Sequence, residues 1–312
     1  MKIGVVGCGN VGSTIAYSCV MRGVGTELVL IDQNSQLALS QAEDISHATP
    51  FGKSMSVATG TYEDLRNAGI VIIAAGVNQK VGETRLELLK RNAEIFAAIV
   101  PKILKAAPAA ILLVATNPVD IMTHLTARFA EDTGHKPGKV IGSGTILDTA
   151  RFRALLGQQL GISSHSVYAY VVGEHGDSEV LNWSAANVGN VSLVEFSKQL
   201  GCPITKDIEL RISEEVRRAA YNIIKGKGAT WFGIGAAMAR IARAVSEDEH
   251  AVLTCCSPLI VPGISGRITL SVPSILSAQG VERIIQPNLN ILEQAEFQKS
   301  AQIIERSIQS IL

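Results

Sequence analysis

The first half of the chain alternates short apolar runs with longer amphipathic stretches. Valine, isoleucine and leucine dominate the runs at residues 2–6, 27–31, 55–59, 70–74, 110–115 and 139–142. Stretches of helical period lie between them, at residues 13–21, 37–47, 86–105 and 121–129. Strands that alternate with helices predict right-handed crossovers and a parallel sheet with helices on both faces. Runs such as residues 70–73 are apolar throughout, as strands buried on both faces should be.

The second half alternates less regularly and predicts a mixture of helices and strands. We expect one strand to carry Tyr168 and to lead directly to His175. The remaining predicted helices are one that ends near residue 160, one over about 206–225, one that ends near 244 and the amphipathic end of the chain from about 289. The remaining predicted strands cover about 251–255 and 267–272. No linker-like composition separates the halves, so the chain is expected to cross directly from one to the other near residues 142–144.

A glycine-rich turn follows the first apolar run. Gly7, Gly9 and Gly12 form a GxGxxG motif between a predicted strand and a predicted helix, the context in which this motif indicates dinucleotide binding. The first glycine permits the turn, the second lets backbone N–H groups approach a pyrophosphate, and the third lets the helix pack on the strand. The alternative is an ordinary tight turn.

Asp32 ends the second predicted strand, where a carboxylate can accept hydrogen bonds from both ribose hydroxyls. Its charge repels a 2′-phosphate, which favours NAD over NADP; the alternative is a helix cap. The order of strand, turn, helix, strand and acid favours the first interpretation. We therefore predict an α/β fold, with a Rossmann-type doubly wound parallel sheet that binds NAD in residues 1–142 and an α+β catalytic and substrate domain in residues 143–312.

Two loops leave the predicted sheet at the carboxyl ends of strands, where ligands of open α/β folds bind. Residues 75–85 contain Gly76, Gly82 and a polar middle, which indicates a lid that closes over a ligand. Residues 115–120 place the Asn117 amide beside the cofactor. In the alternative interpretation Arg85 belongs to a surface ion pair and Asn117 is a turn former before a proline.

His175, which lies between Gly173 and Gly176, is the best-placed acid/base. A nicotinamide cofactor carries a hydride, so the protein must move the accompanying proton, a task that suits histidine. Asp148 can orient the imidazole and raise its pKa. Arg151, three residues later on the same helical face, offers a planar fork for a carboxylate, and Arg85 can stabilise charge on a carbonyl oxygen. The alternatives are a buried histidine bonded to a carbonyl and a surface ion pair of Asp148 with Arg151.

The amino-acid composition argues against some classes of binding partner and indicates the cellular compartment. The 312 residues are 47% hydrophobic and 18% charged, and 28 basic side chains balance 28 acidic ones, which argues against nucleic acid or an anionic membrane as partner. The apolar runs are too short to cross a bilayer, and the chain begins without a signal-peptide pattern. Five cysteines without metal-like spacing predict no metal site and a reducing cytoplasm.

Taken together, these motifs resemble the bacterial L-lactate dehydrogenases of the lactate/malate dehydrogenase superfamily over essentially the whole chain. The matching segments are residues 7–12, Asp32, residues 78–85, Thr116-Asn117-Pro118, residues 147–152, residues 173–178 and residues 227–230. The resemblance implies His175 as proton donor and acceptor, Asp148 as its partner, Arg151 for the substrate carboxylate and Arg85 for the carbonyl. It also implies a homotetramer.

The resemblance assigns further residues to substrate and cofactor. For the substrate it implies Gln79, Asn117 and Thr230, in addition to the two arginines. For NAD it implies Val11, Tyr62, Gly76, Val77, Ala115, Thr116, Asn117 and Ile234, in addition to the glycine turn and Asp32.

Gln79 is expected to select pyruvate over oxaloacetate. In the malate dehydrogenases of the superfamily an arginine stands at this position and pairs with the second carboxylate. A neutral glutamine would leave that charge enclosed and unpaired, at a cost of several kcal/mol or roughly a thousandfold in discrimination. We expect reversible NADH-dependent reduction of pyruvate to L-lactate. The alternatives are a malate or branched 2-hydroxyacid dehydrogenase and, more remotely, a non-catalytic NAD-binding protein.

Activation by a sugar bisphosphate is expected to be weak or absent. Many bacterial relatives are activated by fructose 1,6-bisphosphate, bound between subunits through an arginine and a histidine. Arg153 matches the arginine, but Tyr168 stands at the histidine position. Tyrosine donates a hydrogen bond but carries no charge at neutral pH, so half of the electrostatic complement is missing.

Overall fold

The computed structural model describes residues 1–77, 82 and 84–311, with Arg85 described in its backbone only. Its strands are β1 (Lys2–Val6), β2 (Glu27–Ile31), β3 (Ser56–Thr59), β4 (Ala68–Ile73), β5 (Ile111–Val114), β6 (Val140–Gly142), β7 (Val167–Tyr168), β8 (Val171–Val172), β9 (Val180–Leu181), β10 (Asn187–Val188), β11 (Val191–Ser192), β12 (Ala251–Ile260), β13 (Arg267–Ser277) and β14 (Gly280–Ile284). Its α-helices are α1 (Asn10–Arg22), α2 (Ser35–Ala48), α3 (Arg85–Ala106), α4 (Val119–Glu131), α5 (Ile146–Leu160), α6 (Leu193–Gln199), α7 (Lys206–Lys227), α8 (Phe232–Ser246) and α9 (Ile291–Gln309).

The first six strands form a parallel sheet in the order β3-β2-β1-β4-β5-β6. The predicted doubly wound architecture is confirmed. The connections reverse direction beside β1, which pairs with β2 on one side and with β4 on the other. Such a switch point opens a crevice at the carboxyl ends of the strands, which is where ligands of this fold class bind.

Alternate residues of each strand enter opposite halves of the core, which explains why the strands are apolar throughout. On β4, Ile72 packs in the cluster that contains side chains of α1, α2 and α8. Its neighbours Val71 and Ile73 pack in the cluster that contains α3, α4 and α9. Both faces of the sheet are therefore covered by helices, as parallel sheets require.

The sheet continues beyond residue 142 through an antiparallel extension, β12-β13-β14. The junction is one pair, Cys256 against Gly142. The predicted strands at 251–255 and 267–272 were too short, because β12 and β13 run on to Ile260 and Ser277 in a ten-residue ladder. β14 was not predicted, since its middle residues, Glu282 and Arg283, are charged and exposed.

The segment before His175 differs from the expected single strand, and that prediction is wrong. β7 pairs with β10 in one small sheet, whereas β8 pairs with β9 in another. After β7 and at the first residue of β8 the backbone bonds to side chains of α5: Arg153 Nε donates to the carbonyl of Ala169 at 2.8 Å, and the Val171 N–H donates to Thr149 Oγ1 at 2.9 Å. These local bonds replace ladder bonds and turn the chain from one sheet to the other.

None of the helices in the described part of the chain has both the length and the apolar composition needed to cross a membrane.

Candidate active site

The glycine turn between β1 and α1 is closed on one side and open on the other. Gly7 has φ +97°, and a Cβ atom there would lie 2.5 Å from the backbone nitrogen of Ala75. A Cβ on Gly12 would overlap the carbonyl oxygen of Gly7, whereas a Cβ on Gly9 would meet no atom of the described residues within 4 Å. None of the described side chains caps α1. The turn therefore presents open space at the N-terminus of a helix, which fits a pyrophosphate.

Asp32 is fixed at the edge of this turn by two backbone groups. Its Oδ2 accepts a hydrogen bond from the Cys8 N–H at 2.7 Å, and its Oδ1 accepts one from the Asn34 N–H at 2.9 Å. The helix-cap alternative does not apply, because Asn34 caps α2 by accepting from the Leu37 N–H. Burial, together with the charge of Asp32, raises the pKa of Tyr62, so these two residues share one electrostatic environment. The arrangement fits the adenosine ribose of NAD.

The loops that follow β4 and β5 are tied together. Thr116 Oγ1 donates to the carbonyl of Ala75 at 2.7 Å, and a Cβ on Gly76 would press against the Thr116 methyl group. The Val77 N–H donates to Asn92 Oδ1 at 2.9 Å. Asn92 lies on α3 with 2% of its surface exposed, and sequence reasoning missed it. The sequence feature that could have indicated Asn92 is a single amide side chain on the apolar face of a predicted helix.

The structure gives less information on the site residues that were predicted in the lid and in the second half of the chain. Gln79 lies outside the described residues, and Arg85 is the first residue of α3, described in its backbone only. Thr230 lies between α7 and α8. Ile234, in the first turn of α8, packs with Val11 against the core beneath α1. Among the described residues, no hydrogen bond joins Thr230 to His175.

His175, Asp148 and Arg151 form one contact network. Gly173 pairs with Ser271 of β13, and its φ of +92° turns the chain so that His175 faces α5. His175 Nδ1 lies 2.6 Å from Asp148 Oδ2, and Arg151 Nη1 donates to Asp148 Oδ1 at 2.7 Å. Asp148 is 2% exposed, so its carboxylate is shared between two partners out of water.

The electrostatics favour a charged pair at this site. Burial alone would lower the pKa of His175, but the charge and hydrogen bond of Asp148 raise it to about 9. Burial would raise the pKa of Asp148, yet His175 and Arg151 hold it below its ordinary value. At neutral pH the imidazolium therefore directs its Nδ1–H at Asp148, and its Nε2–H remains for transfer to another group.

Asp120 is a further residue of this environment that sequence reasoning missed. It is buried in the first turn of α4, three residues after Asn117, and its Oδ2 accepts from the His175 backbone N–H at 2.7 Å. Burial raises the pKa of Asp120 to about 7. The loop after β5 is thus joined directly to the His175 backbone. A possible signal was an acid in the first turn of an otherwise apolar helix.

The two residues predicted for bisphosphate regulation lie apart from this network. Arg153 donates to the Ala169 carbonyl and lies over the Tyr170 ring, 4.7 Å from its centroid. Tyr168 lies on β7 and is 53% exposed. The guanidinium is therefore already engaged by its own chain.

Two family models match the chain. Residues 1–142 match the model described as lactate/malate dehydrogenase, NAD binding domain, and residues 145–312 match lactate/malate dehydrogenase, alpha/beta C-terminal domain. NAD is therefore the cofactor class of the first segment. Its turn and Asp32 meet the spatial requirements of that cofactor.

Individual proteins match over almost the full length. The chain is 55% identical to an L-lactate dehydrogenase of Thermus aquaticus, over 98% of this chain and 97% of that one. It is 48% identical to an L-lactate dehydrogenase of Geotalea daltonii, over 100% and 99%. The crystal structure of MGS-M5, a lactate dehydrogenase from a Medee basin deep-sea metagenome library, superposes with a TM-score of 0.94 at 40% identity, covering 99% and 98% of the two chains. The chain therefore belongs to the lactate/malate dehydrogenase family.

Proposed function

We propose that the protein is an NAD-dependent L-lactate dehydrogenase that catalyses the reversible reduction of pyruvate to L-lactate. The observation that carries this proposal is the network of His175, Asp148 and Arg151, in which a buried carboxylate contacts both a proton carrier and a carboxylate-binding cation. The full-length relatives with that activity support the same assignment. A non-catalytic NAD-binding protein would have no need to retain these three residues together with Arg85.

His175 is assigned the role of proton donor and acceptor. When bound, the nicotinamide supplies or accepts the hydride. In the reductive direction His175 Nε2–H donates its proton to the oxygen of the former carbonyl group, and in the oxidative direction the neutral imidazole accepts it. Asp148 keeps Nδ1 protonated and stabilises the imidazolium, so the transferable proton is always at Nε2.

Arg151 and Arg85 are assigned to the two ends of pyruvate. Arg151 has one nitrogen held by Asp148, which orients the remaining N–H groups as a fork for the substrate carboxylate. Arg85 would stabilise negative charge that develops on the carbonyl oxygen. Asn117 and Thr230 are proposed to complete the pocket.

NAD is assigned to residues around the switch point. Gly7, Gly9 and Gly12 would hold the pyrophosphate at the N-terminus of α1, and Asp32 would accept from the ribose hydroxyls. The further contacts proposed are Val11, Tyr62, Gly76, Val77, Ala115, Thr116, Asn117 and Ile234.

Substrate choice provides the decisive experiment. Initial rates of NADH oxidation are measured with pyruvate, oxaloacetate and branched 2-oxo acids, on the unchanged chain and on Gln79→Arg. We expect the highest kcat/KM for pyruvate, and a shift towards oxaloacetate in the variant, because the arginine would pair with the second carboxylate. A higher kcat/KM for oxaloacetate or a branched acid in the unchanged chain would refute the proposal.

We also propose a homotetramer that works in the cytoplasm. One face of the chain exposes large apolar side chains: Phe51 is 84% exposed and lines one groove together with Tyr17 and Phe232. Apolar patches of this kind indicate protein contacts. Sedimentation velocity should give four times the mass of one chain, and a monomer at micromolar concentration would contradict this assembly. The free cysteines suit a reducing compartment.

A further inference from the structure

Glu179 is a second buried carboxyl beside the His175–Asp148 pair, and the reaction as described does not use it. It lies just before β9 and is 3% exposed. A carboxylate oxygen of Glu179, a ring nitrogen of His175 and a carboxylate oxygen of Asp148 all lie within 4.8 Å of one another. Two buried acids therefore face the same imidazole, whose side chain is itself only 24% exposed.

The packing of this region does not account for the carboxyl group of Glu179. Arg217, on α7, donates from Nη2 to the backbone carbonyl of Glu179 at 3.2 Å, a bond that any residue at position 179 would make. Among the described residues, the buried Oε1 of Glu179 has no hydrogen-bond partner. A buried polar group without a partner is costly, so its presence calls for a role other than packing.

The charged groups around Glu179 come from three elements. His175 precedes it in the same loop, Asp148 and Arg151 face it from α5, and Arg217 faces it from α7. Burial, followed by the charge of Asp148, raises the pKa of Glu179 to about 8, against the opposing effect of His175 and the two arginines.

Three carboxyl groups raise the pKa of the His175 imidazole. The carboxylates that raise the pKa of His175 are Asp148 first, then Asp120 of α4, then Glu179. Below pH 8 Glu179 keeps its proton, so the cluster does not have to hold two adjacent carboxylates. Above pH 8 it ionises, and the new negative charge opposes the loss of the proton from His175.

We propose that Glu179 is a positioning residue of the reaction, whose buried carboxyl group keeps His175 protonated further into the alkaline range than Asp148 alone would. The inference deepens the proposed function, because a protonated His175 is what the reduction of pyruvate requires. It assigns to position 179 a role in the pH range of catalysis rather than in folding.

The first test reads His175 directly and needs no turnover. Deuterium exchange at the imidazole C2 position, followed by mass spectrometry of the peptide that contains His175, gives the pKa of that histidine in the intact assembly. In Glu179→Gln we expect this pKa to fall by about half a pH unit or more. An unchanged His175 pKa would overturn the proposal. Glu179→Ala carries the same expectation if the amide variant does not fold.

The matched control is Glu293→Gln. Glu293 is also buried, but its carboxylate caps α9 and accepts from the Ser184 N–H, and it is not among the groups whose charge shifts the pKa of His175. This variant should keep the wild-type pKa of His175. A shift of equal size in the control would show that any buried glutamate has the effect, and would also overturn the proposal.

The second test measures kcat for pyruvate against pH. Glu179→Gln should stay within about threefold of the unchanged chain at pH 6.5, and should lose about another three- to tenfold near pH 9. Glu179→Asp keeps the charge and should restore the alkaline activity; parallel profiles for all three proteins would overturn the proposal. If the unchanged chain reduces no pyruvate, the proposed function fails, and the exchange measurement still decides the role of Glu179.

Discussion

His175 and Asp148 share one hydrogen bond, with Nδ1 and Oδ2 2.6 Å apart, and this bond opposes the effect of burial on the imidazole. Burial alone would lower the pKa of His175; the carboxylate raises it to about 9. The pair therefore supplies a proton at neutral pH from a site that is largely closed to water.

The pH dependence of the two directions follows from that pKa. Reduction of pyruvate needs the imidazolium, so kcat/KM should be nearly constant below pH 8 and fall as pH rises through about 9. Oxidation of lactate needs the neutral imidazole, so its rate should rise over the same pH range.

Asp148→Asn removes the charge beside the imidazole, so the pKa of His175 should fall and the rate of pyruvate reduction at pH 7.5 should drop by roughly a hundredfold. Stopped-flow and steady-state rates in both directions measure this.

NADH affinity is the control for Asp148→Asn, because Asp148 is not among the residues assigned to the cofactor. Fluorescence titration with NADH should give a Kd within about twofold of the unchanged chain. If the variant kept its alkaline limb near pH 9, Asp148 would not be the group that raises the pKa of His175.

Arg151→Lys tests the carboxylate fork. A lysine keeps the charge but offers no pair of parallel N–H donors, and it cannot reach Asp148 and the substrate in the same geometry. KM for pyruvate should rise by roughly a hundredfold, with a smaller change in kcat. Saturation kinetics with pyruvate at fixed NADH measure both constants. An unchanged KM would mean that another cation binds the carboxylate.

Two glycine-to-alanine substitutions in the glycine turn test cofactor binding and folding separately. A Cβ on Gly9 meets no atom within 4 Å in the part of the chain that the structure describes, so Gly9→Ala should keep its Tm, but the methyl group would occupy the space assigned to the pyrophosphate. We expect the Kd for NADH to rise by at least about tenfold. A Cβ on Gly12 would overlap the Gly7 carbonyl, so Gly12→Ala should lose several kcal/mol of stability. Calorimetry and NADH titration on both variants measure the two effects, and tight NADH binding by Gly9→Ala would contradict the assignment.

The fold and much of the site could be predicted from local patterns. Strands buried on both faces and the order of turn, helix and acid around Gly7 and Asp32 are features that short segments carry on their own. Asp120 and Glu179 were missed, since the weak signal that each offers, an acid next to an apolar stretch, usually marks a residue at the surface. These acids lie near His175 only because the loop after β8 packs against α4 and α5 in the folded chain. The division of residues 167–172 between two small sheets was missed for the same reason, because the side chains that interrupt the strand come from α5.

The response to fructose 1,6-bisphosphate should be weak in the unchanged chain. Arg153 is engaged by the Ala169 carbonyl and the Tyr170 ring, and Tyr168 brings no charge at neutral pH. We expect the bisphosphate to change KM for pyruvate by less than about twofold.

In Tyr168→His, the half-exposed position should accept the imidazole without loss of stability. The bisphosphate should then lower KM for pyruvate by about threefold or more at pH 6, where histidine is charged. The effect should fade by pH 8. Pyruvate titrations at both pH values, with inorganic phosphate at equal ionic strength as control, measure this; a large drop in KM in the unchanged chain would show that Tyr168 does not prevent activation.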